Sequence, residues 1–177
     1  GIDLGSRNFK TIKKPKIGLL VGDGVRSYDA GEIWYIMDTQ YNIPITKIDN
    51  RILERLNLEK FTHFIFPSFS GYLSEVTINK IKSWVKSGGT LILYRDAITW
   101  AKENKLIEID FIEKELVAEN INFINKNNFK RAQSISGAIF KANLDRTHPI
   151  NFGIENNSIA LFRNTDIFLK PDDDSFN

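Results

Sequence analysis

A chain of 177 residues, 42% hydrophobic and 26% charged with thirteen Phe and three Trp, has the composition of one globular domain large enough to bury a core, which excludes a disordered polymer. The net charge of +2, with its longest basic cluster (Lys10, Lys13, Lys14, Lys16) ahead of the first predicted strand, argues against nucleic acid as a partner. The absence of cysteine excludes a disulfide framework, a thiolate metal site and a thiol nucleophile.

No run approaches the ~18 apolar residues of a membrane span, and no signal peptide is visible. The chain opens Gly1-Ile2-Asp3 without a Met, which reads as a processed fragment. Residues 1–15 are polar and irregular up to Pro15 and read as a linker or leading arm. Residues 16–171 read as one α/β domain and 172–177, with Asp172-Asp173-Asp174, as a frayed tail.

Lys16–Val21 is a short continuous apolar run closed by Gly22-Asp23-Gly24, the pattern of a strand buried on both faces and ended by a tight turn. Asp29 and Glu32 are spaced as a capping box, and Ile33, Ile36, Met37 and Tyr41 follow at helical intervals. Asn42 to Pro44 end that helix, Ile45–Ile48 form a second strand, and a short helix is expected around Ile52–Leu56. Phe61–Pro67 is the third strand.

The next helix carries the fullest set of signals. Ser74 is placed to cap it, Glu75 lies in its first turn, and Leu73 and Ile78 form a hydrophobic staple. Ile78, Ile81 and Val85, with Trp84 beside them, are its predicted buried stripe; Lys80, Lys82 and Lys86 lie towards its negative end, and Gly88-Gly89 supplies a left-handed stop. Thr90–Tyr94 is the fourth strand.

Beyond residue 97 a helix is expected over Ile98–Asn104 and a further segment over Ile109–Val117. A loop is predicted at Asn120–Arg131, a strand at Gly137–Leu144, a turn at His148-Pro149, and a closing strand pair formed by Ile159–Phe162 and Ile167–Leu169. Strand–helix alternation with short connections predicts a mostly parallel sheet with helices on both faces.

In such sheets ligands bind beyond the carboxyl ends of the strands. Asp23, Arg26 and Tyr28 follow the first strand, Ser68, Ser70 and Tyr72 the third, and Arg95 and Asp96 the fourth. Together they are the candidate crevice. Its arginines suit an anionic ligand and its hydroxyls a sugar-like one.

Gly22-Asp23-Gly24 lacks the third glycine of a dinucleotide fingerprint and is set off from the helix by Val25-Arg26-Ser27, so a tight turn is the better reading. Ser70-Gly71 lacks the flanking glycine of a serine nucleophile elbow. His63 falls in a predicted strand and His148 in a turn, and neither has a ligand-type partner at helical or hairpin spacing; no metal ligand is assigned to this chain. A serine or metal hydrolase using Ser70 or His148 is therefore the weakest reading.

Gly88-Gly89, an apolar strand and a sharp turn into a helix resemble the nucleophile elbow of the class I glutamine amidotransferase-like superfamily. The cysteine of its active members aligns with Arg95. An arginine stays protonated and cannot be a nucleophile, so the resemblance implies the fold without the activity.

Longer segments resemble a narrower group. LLVGDGVRSYDAGEIWYIMD, FIFPSFSG, SGGTLILYRDAITWA, ISGAIFKANLDRTHPINFGI and ALFRNTDIFLKP are similar to the amidotransferase-like domain found C-terminal to the catalytic domain in bacterial zinc carboxypeptidases. The resemblance implies a flavodoxin-like three-layer α/β sandwich acting as a non-catalytic accessory domain of an exported, periplasmic or secreted metallopeptidase. The implied partner is an N-terminal carboxypeptidase domain of the same polypeptide, which would hold one zinc through a His-x-x-Glu pair and a distant His. That ligand set is not in this chain: three residues after His63 stands Phe66, and three after His148 stands Asn151. No cofactor is expected in the domain itself. The alternative is a small-ligand module, anionic or carbohydrate, using the crevice.

Overall fold

The computed structural model describes residues 14–112 and 120–170. The expected leading arm before residue 14, most of the segment Ile109–Val117 and the tail 172–177 lie outside the described residues. The chain divides into two compact units, Gly1–Ile107 and Glu108–Asn177.

The first unit holds β1 (Ile17–Val21), α1 (Ser27–Trp34), β2 (Ile45–Asp49), β3 (His63–Phe66), α2 (Glu75–Lys86), β4 (Thr90–Leu93) and α3 (Asp96–Glu103). Its four strands form a parallel sheet in the order β2-β1-β3-β4. In central β1 the neighbouring residues Leu19 and Leu20 are both fully buried, as a strand covered on both faces requires.

Two core clusters divide the alternating side chains. Leu20, Ile48, Phe64 and Phe66 pack with Ile78, Ile81 and Trp84 of α2 and with Ala97, Trp100 and Ala101 of α3. Ile17, Leu19 and Ile65 pack with Ala30 of α1. A Cβ on Gly18 would stand 2.6 Å from the Phe64 ring and 2.7 Å from Ile48 Cδ1, so the β1 backbone lies against these side chains with no room for another carbon.

α2 forms as its sequence signals require. Ser74 Oγ accepts from the Thr77 amide at 3.2 Å, Leu73 and Ile78 are both buried in one cluster, and Gly88 ends the helix at φ +100°. The predicted stripe needs one correction: Val85 is exposed, and the buried face is Thr77, Ile78, Ile81 and Trp84. Lys80 reaches sideways, donating to the Glu54 carbonyl at 2.7 Å.

Other expectations are corrected too. α1 starts at Ser27, not at an Asp29 cap, because the Arg26 amide is bound to the Ser68 carbonyl at 2.9 Å and fixes the chain entering the helix. Its bonding then widens to the i→i+5 type over Tyr35–Gln40, with Tyr41 N donating to Ile36 O, which turns Ile36 and Tyr41 outward. The short helix expected around Ile52–Leu56 is a 3-10 turn of helix over Asn50–Ile52 followed by turns, with Leu56 N donating to Ile52 O at 3.1 Å.

The second unit holds α4 (Lys126–Ala132), β5 (Ala138–Asn143) and β6 (Ser158–Arg163). Asn120–Arg131, expected as a loop, contains α4: none of its residues is buried, so no apolar stripe marked it in the sequence. β6 pairs antiparallel with β5 and not with residues 167–169. Leu169 bridges Phe111 instead, with the Ile112 amide on the Phe168 carbonyl at 2.8 Å. Arg163 occupies the expected pairing position's end by donating to Ile167 O at 2.7 Å and covering the Phe168 ring at 4.3 Å.

Candidate functional site at the carboxyl ends of the strands

Because all four strands of the first unit run parallel, their carboxyl ends share one edge. The chain leaves β1 for α1 in one core cluster and β3 for α2 in the other, so the loops after β1 and β3 diverge there. This is the topological switch point where open α/β sheets form ligand crevices.

The two loops are first fastened together. Val25 and Phe69 form an antiparallel bridge, flanked by Arg26 N to Ser68 O at 2.9 Å and Ser70 N to Gly24 O at 3.0 Å. A Cβ on Gly24 would lie 2.4 Å from Gly71 Cα, and Gly24 holds φ +78°. The glycines of Gly22-Asp23-Gly24 thus serve a backbone crossing, in keeping with the tight turn read from the sequence. Asn50 reinforces it, its Nδ2 donating to the Asp23 carbonyl at 2.7 Å.

The turn from β4 into α3 is strained. Arg95 holds φ 53°, ψ −120°, a combination L-residues avoid and glycine tolerates. The Ala97 amide donates to the Tyr94 carbonyl at 3.0 Å, so Arg95 is the second residue of a β-turn whose geometry is that of type II′, where glycine is the usual occupant.

Asp29, which sequence reading assigned to a cap, is brought to this turn. Its Oδ1 lies 3.5 Å from Arg95 Nη1 and 4.0 Å from Arg26 Nε. Two guanidiniums therefore converge on one carboxylate oxygen. Asp29 Oδ2 and Arg95 Nε are buried without a hydrogen-bond partner among the described residues. No spacing in the sequence links positions 29 and 95; only the parallel order of β1, β3 and β4 joins them.

Asp96 points elsewhere. It accepts from the buried Ser68 hydroxyl at 2.5 Å and, as the first residue of α3, stands where the helix dipole favours a carboxylate. It also lines a cleft of about 510 Å³ between residues 69–73 and α3, together with Ser70, Tyr72, Thr99, Trp100, Glu103 and Asn104. Thr99, Trp100, Glu103 and Asn104 were not singled out in the sequence, although Asp96, Thr99, Trp100 and Glu103 recur at helical spacing on one face.

Tyr72 is 84% exposed. It also borders a cleft of about 310 Å³ with Glu75 and Lys82 and one of about 300 Å³ with Asp23 and Arg51. Tyr28 is 82% exposed on α1. Apart from Tyr28, the candidate residues thus fall into three settings: Arg26 and Arg95 around Asp29; Ser70, Tyr72 and Asp96 at the large cleft, with buried Ser68 behind Asp96; and Asp23 beside Arg51. Arg51 itself is held by Asp49, donating to Oδ2 at 2.7 Å; that bond and the Arg51 amide lower the Asp49 carboxyl to about 2.

The histidines have local partners. His63 Nδ1 lies 2.8 Å from Thr62 Oγ1, and His148 Nδ1 accepts from the Ile150 amide at 3.2 Å in a turn. Among the described residues no group of three His, Cys, Asp or Glu side chains is arranged to hold a metal ion, and no helix is long and apolar enough to cross a membrane. No family model matches the sequence, and no curated protein matches it.

Proposed function

We propose that this chain is a non-catalytic accessory domain of a zinc carboxypeptidase, built on a flavodoxin-like three-layer scaffold of the class I glutamine amidotransferase-like kind. The carrying observation is the turn at Arg95. A strained non-glycine residue between β4 and α3 has the backbone form of a nucleophile elbow, yet its side chain is a guanidinium paired with Asp29. The strand order β2-β1-β3-β4 supports the same scaffold, since it is the beginning of the flavodoxin-like order.

An arginine at that position supplies neither a nucleophile nor a base. The described residues do not fit a zinc site, since no three His, Asp or Glu side chains among them are grouped to hold the ion. On this reading zinc belongs to a preceding catalytic domain, and the present residues take no part in peptide hydrolysis.

Two measurements test this. The purified chain should hydrolyse neither glutamine nor p-nitrophenyl acetate above the rate of its Ser70→Ala variant; turnover lost in that variant overturns the non-catalytic reading. The native protein from its source cells should be a much heavier polypeptide carrying about one zinc. A metal-free protein of this chain's own mass overturns the peptidase context. A second reading, a small-ligand module, is favoured by the clefts around Tyr72.

A further inference from the structure

We infer that the cleft between residues 69–73 and α3 binds an uncharged saccharide, with Tyr72 as its stacking platform. The inference rests on the ligand-module reading of the crevice and is independent of the peptidase context.

The arrangement of charge decides the class of ligand. The crevice read from sequence offered Arg26 and Arg95 to an anion, but both guanidiniums face the Asp29 carboxylate. Among the described residues that line the large cleft there is no Lys or Arg; the ionic groups are Asp96 and Glu103, which repel anions. Asp96 is already compensated by the Ser68 hydroxyl and by the start of α3, which weakens its pull on a cation while leaving it oxygens that accept hydrogen bonds.

The lining suits a polyol. Asp96 and Glu103 stand seven residues apart on one face of α3, about 10 Å along the helix. Between them in the helix are Thr99 and Trp100, and Ser70 and Asn104 also line the cleft, the Asn104 amide donating to the Trp100 carbonyl at 2.8 Å. The lining residues therefore offer both acceptors and donors, which vicinal hydroxyls can satisfy in pairs. At about 510 Å³ it is within the range of roughly 300–1,000 Å³ of small-molecule sites.

The floor is rigid and the platform is free. Trp100 is only 6% exposed and packs on Phe69 and Phe66 with ring centres 5.2 and 5.6 Å away. Tyr72, by contrast, is almost fully exposed where three clefts meet. An aromatic ring in that position presents an apolar face to the C–H face of a sugar ring, and the adjoining clefts give a linear chain room for further rings.

The test uses the full chain, with saturation-transfer NMR and calorimetry against cellotriose, chitotriose, maltotriose and xylotriose, and against citrate and spermidine as anionic and cationic probes. At least one trisaccharide should bind, with Tyr72→Ala weakening it about tenfold or more and Glu103→Gln weakening it less. Both side chains are on the surface, so the variants should unfold at the wild-type denaturant concentration, which is measured alongside. Trisaccharide binding that Tyr72→Ala leaves unchanged overturns the proposal. Binding of citrate or spermidine alone overturns it and retains a ligand module of another class. Binding of none removes the ligand module as well, and leaves the mass and zinc measurements to decide the peptidase context separately.

Discussion

Replacing Arg95 separately by Gly and by Ala isolates the backbone strain of the β4–α3 turn. Both variants lose the guanidinium and leave Asp29 without its nearer partner, so that cost cancels between them. They differ in the backbone. At φ 53°, ψ −120° an alanine bears a steric cost of about 1–3 kcal/mol that glycine escapes. Glycine gives back about 0.4–1 kcal/mol through the greater entropy of its unfolded chain. Arg95→Gly should therefore be the more stable of the two by roughly 1.3 kcal/mol at the centre of these ranges and by at most about 2.6 kcal/mol, or a few degrees in melting temperature for a chain of this size. Urea unfolding followed by tryptophan fluorescence suits the measurement, because Trp84 and Trp100 are both buried in the same core cluster. An Ala variant more stable than the Gly variant would refute the strained turn, and with it the principal support for the elbow reading.

Two glycines should respond with opposite signs. Gly24→Ala puts a carbon 2.4 Å from Gly71 Cα at φ +78° and should cost at least about 1–3 kcal/mol in the same urea assay, whereas Gly31→Ala, with open space around its Cβ inside α1, should stabilise by about 0.4–1 kcal/mol. Removing the α2 cap by Ser74→Ala should cost about 1 kcal/mol, read as a lower unfolding midpoint with an unchanged slope. Asp49 titrates near 2 when folded against an ordinary 3.8, so its contribution is complete above pH 3.8 and is lost as the pH falls through 2; Asp49→Asn should flatten the decline of stability between those values, and an unchanged acid profile would refute that assignment.

The central sheet was legible because its strands are continuous apolar runs and α2 because its cap, staple and glycine stop agree. Misreadings arose where a tertiary contact outweighed a local pattern. Asp29 and Glu32 have capping-box spacing, but the Arg26 amide is already committed to Ser68 O, so the helix begins earlier and Asp29 is freed for Arg95. α4, with Lys126, Asn127 and Asn128 at its start and no buried face, carries no hydrophobic period to read. Leu169 looked like a strand partner for β6 because both are apolar, but its bridge is to Phe111, a pairing that spacing cannot reveal.

The same cause moved the chemistry of the crevice. In the sequence, Arg26 and Arg95 were two cations beside a set of hydroxyls, and a carboxylate ligand was a natural match. The fold introduces Asp29 as an internal anion between them. A half-buried pair of this kind adds little net stability, since desolvation offsets its attraction, but stripping Asp29 from the guanidiniums would leave a poorly solvated charge behind. An incoming anion would have to bear that cost before gaining anything from the arginines. An uncharged ligand in the cleft beside Asp96 bears none of it, and meets hydroxyls, carboxylate acceptors and an exposed ring as they stand. On the proposed reading Arg95 stands where a nucleophile would, and its pairing with Asp29 withdraws it from ligand binding, leaving Tyr72 and the face of α3 as a surface with recognition chemistry to offer.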